Sequence, residues 1–76
     1  QDEKVKVLYL KFDINSGVKI EVDGVLERYK GNNEVIVVDA GTNKSYKYHY
    51  KVNISTYLIN ELCALLTSSN VKVVEK

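Results

Sequence analysis

Eight consecutive residues, Lys44-Ser45-Tyr46-Lys47-Tyr48-His49-Tyr50-Lys51, carry the side chains of this chain best suited to meeting a partner. Side chains of a β-strand alternate between two faces. Tyr46, Tyr48 and Tyr50 then share one face, and Ser45, Lys47, His49 and Lys51 share the other, with Lys44 at the entrance. A row of ammonium groups with an imidazole offers charge-assisted hydrogen bonds to carboxylates or phosphates. Stacking on bases needs aromatic rings on that same surface. A regular strand sends these rings and these charges in opposite directions, so the rings read as core or edge of core and the lysines as a small basic surface.

Other chemistries have thinner support. His49 is the only histidine and Cys63 the only cysteine, so nucleophilic catalysis and metal binding both lack the companions they require. Cys63 lies among Leu62, Ala64, Leu65 and Leu66 and reads as helix packing. Asp13-Ile14-Asn15-Ser16-Gly17 is too short for a calcium loop and has no downstream acid. Glu21 and Glu27 can be drawn as a carboxylate pair, but beside Lys19 and Arg28 they read as a solvated polar face. The glycines stand singly rather than in a phosphate-binding loop. The expectation is a non-enzymatic chain without metal, cofactor or disulfide.

Composition sets further bounds. Seventy-six residues make one domain, near the lower size limit for folding without staples. The net charge of +1 does not by itself call for a polyanion. It is unevenly spread: residues 13–43 carry three positive and six negative side chains, and residues 44–76 carry five and two. No apolar run is long enough to span a bilayer. Gln1 in place of an initiator methionine reads as a processed or excised terminus. The expected setting is soluble, cytoplasmic ahead of secreted after signal cleavage.

The elements that would position these side chains follow from periodicity. Val5–Phe12 reads as an interior strand apolar on both faces, followed by a turn at Asp13–Gly17. Val18–Val22 alternates, Asp23-Gly24 is a strong hairpin signal, and Val25–Lys30 completes a predicted hairpin. Gly31-Asn32-Asn33 reads as a second turn, Val35–Val38 as a buried strand, and Ala40–Asn43 as a third turn leading into the tyrosine strand. Leu58, Ile59, Leu62, Leu65 and Leu66 form one helical stripe, capped by Ser55 or Asn53, and Val71–Val74 is a last short strand.

The predicted architecture is α+β. It has an antiparallel meander sheet of five to six strands in the order ββββ(β)αβ, with one amphipathic helix over about residues 55–68. The alternative is a small, partly closed β-barrel capped by that helix. The predicted function is a protein-binding module, an inhibitor or adaptor, using the polar face of residues 44–52. Its partner-binding residues are Lys44, Lys47, His49 and Lys51, with Arg28 and Lys30 as extensions. The alternative is a small nucleic-acid-binding domain that adds Tyr46, Tyr48 and Tyr50 to the same lysines. The terminal strand, as a sheet edge, is also suited to closing a homodimer.

Overall fold

A computed structural model describes residues 6–75. The chain runs β1 (Lys6–Phe12), α1 (Val18–Arg28), β2 (Lys30–Asp39), β3 (Ser45–Val52), α2 (Thr56–Leu66), a 3-10 turn (Ser68–Asn70) and β4 (Val71–Glu75). The four strands form one mixed sheet in the order β3-β2-β1-β4. β1 and β2 are parallel, while β3 on β2 and β4 on β1 are antiparallel. The α+β class is as expected; the count of five to six strands, the meander order and the single helix are not. Nor does the sheet close into the alternative barrel: β3 and β4 are its outer edges.

The main correction lies at Val18–Arg28, a helix where a hairpin was predicted. The same residues satisfy two periods. Val18, Ile20 and Val22 alternate like a strand, but Val18, Val22, Val25, Leu26 and Tyr29 fall at i, i+4, i+7, i+8 and i+11, one helical stripe. Val22, Val25 and Leu26 are buried, whereas Ile20, inward in the strand reading, is 77% exposed. Topology explains the outcome. Adjacent parallel strands need a crossover between them, and a helix laid on the sheet supplies it while burying its own apolar stripe. Gly24 therefore sits inside α1 without a positive φ, not in a type I′ turn.

The second predicted turn, Gly31-Asn32-Asn33, is also absorbed, into the start of β2. Gly31 is needed there for close approach: a Cβ at this position would lie 2.5 Å from the Asn53 nitrogen and 2.7 Å from its Cα. The Asn53 amide donates to the Tyr29 carbonyl at 2.7 Å, drawing the end of β3 against the start of β2.

Other expectations hold. Val5–Phe12 corresponds to β1, although Val5 lies outside the described residues. The turn before β3 is organised by Asp39, which is buried and accepts from the Gly41 amide and the Thr42 hydroxyl, each at 3.0 Å. The Gly41 amide, ahead of the Thr42 bond, holds the Asp39 carboxyl below its usual range. At α2, the Ser55 hydroxyl caps the helix by accepting from the Leu58 amide at 3.2 Å. Leu58, Leu62 and Leu66 are buried from the same stripe.

Both helices pack on one side of the sheet. The core combines Val22, Val25 and Leu26 of α1 and Leu58, Leu62 and Leu66 of α2 with Leu8, Leu10, Phe12, Val35, Val37 and Val52 of the strands. The result is two layers, with the sheet's other side left uncovered by either helix.

Candidate functional site

The uncovered side follows from strand alternation. Leu8, Leu10 and Phe12 point into the core, so Val7, Tyr9 and Lys11 take the opposite face. Strand register extends that face into three rows. Lys51, Glu34, Val7 and Val74 form the first, and Lys47, Ile36, Tyr9 and Lys72 the second. Ser45, Val38 and Lys11 form the third. Val7 is buried, Tyr9, Ile36, Val38 and Val74 are half-buried, and Lys11, Lys47, Lys51 and Lys72 are exposed. The face thus has an apolar centre crossed by the two middle strands and ammonium groups around it. Glu34 is its inner carboxylate, paired with Lys47 at 3.0 Å.

The predicted binding residues divide. Lys47 and Lys51 stand on this face, on edge strand β3, and Lys44 is exposed in the turn leading into it. His49 is exposed in an irregular stretch. Between the Glu34–Lys51 and Ile36–Lys47 pairs, β2 spends one residue, Val35, while β3 spends three, Tyr48, His49 and Tyr50. The imidazole there lies 4.3 Å from the Tyr50 ring and 5.0 Å from the Tyr48 ring, centroid to centroid. Arg28 belongs to the helix layer, where its guanidinium donates to Glu61 of α2. The Tyr29 hydroxyl donates to the other Glu61 oxygen at 2.5 Å, and that bond raises the Tyr29 phenol above its usual range. Lys30 is exposed at the first residue of β2, opposite Val52.

Tyr46, Tyr48 and Tyr50 take the helix side of β3. Tyr46 is in register with the core residue Val37 and is 42% exposed, while Tyr48 and Tyr50 pack against the core. The Tyr48 hydroxyl donates to Asp23 of α1, whose other oxygen pairs with Lys19 at 3.0 Å. Burial, followed by the bond to Asp23, pushes the Tyr48 phenol up to about 12. The bond to Asp23 also raises the Lys19 ammonium above its usual value. This cluster anchors α1 to β3. It leaves the three rings on the opposite side of the strand from Lys47 and Lys51.

Sequence reasoning missed Tyr9, Lys11, Ile36, Val38, Lys72 and Val74. The apolar residues on both faces of β1 and β2 suggested strands covered on both sides. The available signal was Lys11, in phase with Tyr9, at the end of a strand otherwise read as interior.

Cys63, half-buried on α2, belongs to the helix layer, and His49 to the edge strand. Among the described residues, no group of three or more His, Cys, Asp or Glu side chains could hold a metal ion. No helix among them is long and apolar enough to cross a membrane. Fold and site together describe a two-layer α+β domain with one sheet face open. The chain matches no protein-family model, no curated protein and no solved structure.

Proposed function

We propose that this chain is a non-enzymatic protein-binding module, an inhibitor or adaptor, that receives an acidic partner surface on the open face of its sheet. The supporting observation is the union of a half-buried apolar centre, Tyr9, Ile36, Val38 and Val74, with the ammonium groups of Lys11, Lys51 and Lys72. Lys47 is already paired with Glu34 and would have to exchange that carboxylate for the partner's. Apolar contacts would supply affinity by removing half-exposed area from water, and the lysines would steer the partner and set its register. Lys44 extends the surface along the sheet edge, whereas the His49 imidazole sits beside the Tyr48 and Tyr50 rings. Arg28, engaged with Glu61 in the other layer, is outside it.

A nucleic-acid reading draws on one specific observation, the Tyr9 ring lying between lysines on the central strand. The three tyrosines of β3 do not share that surface, which leaves a single stacking ring and favours the protein partner.

The test is affinity capture with the protein immobilised, run in parallel with Ile36→Asp and with Tyr57→Ser. The second is a control, since Tyr57 is 74% exposed on α2. A retained protein that survives nuclease treatment, is lost with Ile36→Asp and persists with Tyr57→Ser is the expected result. Retention that is indifferent to Ile36→Asp, or abolished by nuclease, contradicts the proposal.

A further inference from the structure

The open face is not uniform. Beside β4 it sinks into a shallow cleft of about 250 Å³. Tyr9, Leu10, Val38 and Val74 are its apolar lining, and Ser69 and Asn70 of the 3-10 turn line it together with Lys11 and Lys72. Lys72 stands directly across from Tyr9, and Lys11 is two residues further along β1, so the two lysines are diagonal neighbours. Such neighbours lie about 7–8 Å apart at the backbone, close enough for both ammonium groups to reach one or two adjoining carboxylates. Among the described residues no carboxylate lines the cleft and neither lysine is in an ion pair. The groove between the helices differs: its Arg28 is already neutralised by Glu61.

Resting on the protein-binding reading above, we infer that this cleft is the specificity pocket of the open face. It takes a short partner segment in which an aliphatic side chain is followed directly by acidic residues. The aliphatic group packs against the Tyr9 ring and its diagonal neighbour Val38, and the carboxylates meet Lys11 and Lys72. A nucleic-acid strand fits less well, because the cleft offers a single ring, Tyr9, for stacking.

The probe is a doubly capped leucyl-glutamyl-glutamate peptide, titrated into the isotope-labelled chain while backbone amide shifts are followed. Its glutamine analogue and a short oligothymidylate are titrated in parallel. The expected result is saturable movement at Tyr9, Lys11, Val38 and Lys72, weakened about fivefold in the glutamine analogue and in the Lys11→Gln, Lys72→Gln double variant. Both positions are exposed, so the variant keeps the fold, which its unchanged melting temperature verifies. Equal binding of the glutamine analogue overturns the inference, as does tighter binding of the oligothymidylate at the same amides. Movement confined to the Ser45–Lys51 row would also overturn it, while leaving the open face as a binding surface.

Discussion

Tyr48 shows how one side chain serves the fold while seeming to advertise a function. Its hydroxyl reaches Asp23 across the helix–sheet interface, and burial with that bond raises its ionisation to about 12, against an ordinary 10.0. The fold therefore favours the protonated phenol. That contribution is fully present below the unfolded value, near pH 10, and is lost as pH rises through about 12. A spectrophotometric titration of the six tyrosines should show Tyr29 delayed beyond its usual range by its bond to Glu61, and the Tyr48 phenolate appearing near pH 12. Tyr48→Phe should remove that step and cost about 0.5–1.5 kcal/mol in denaturant melts below pH 10. Persistence of the late step in the variant would assign it elsewhere. The alternation of rings and charges over residues 44–51 was legible in the sequence because period 2 is a local property. That Asp23 would be the hydroxyl's partner was not, since it comes from an element whose type was itself ambiguous.

At the scale of elements, what was legible depended on how many periods a segment can satisfy. Leu58, Ile59, Leu62, Leu65 and Leu66 fit only a helix, and Ser55 caps it where the chain turns in. Val18–Arg28 fits both a strand pair and a helix, and Asp23-Gly24 tips a local reading toward a turn. What decides the matter is non-local: β1 and β2 pair in parallel, and parallel neighbours require a crossover. The two glycines misread as turn residues give opposite predictions. Gly24 is exposed in the helix with nothing within 4 Å of an added Cβ, so Gly24→Ala should stabilise by about 0.5–1 kcal/mol. At Gly31 an added Cβ meets backbone of Val52 and Asn53 at 2.5–2.7 Å, so Gly31→Ala should destabilise by about 1–3 kcal/mol. Urea unfolding of both variants checks the pair. Stabilisation at Gly31, or a loss at Gly24, would contradict these placements.

For the whole molecule, placing both helices on one side of a four-stranded sheet leaves the other side without a helix among the described residues. That asymmetry depends on strand order and layer, neither of which is encoded in any short run of residues. It explains why Lys47 and Lys51 were found from sequence while their neighbours Ile36, Tyr9 and Lys72, distant in the chain, were not. The most direct measurement of the central claim is amide-shift mapping of the labelled chain with the captured partner protein. The account predicts perturbation along Tyr9, Lys11, Ile36, Val38, Lys47 and Lys72, with the outer helix surfaces around Ile20 and Tyr57 unmoved. Perturbation centred on Ile20 and Tyr57, with the open sheet face silent, would contradict it.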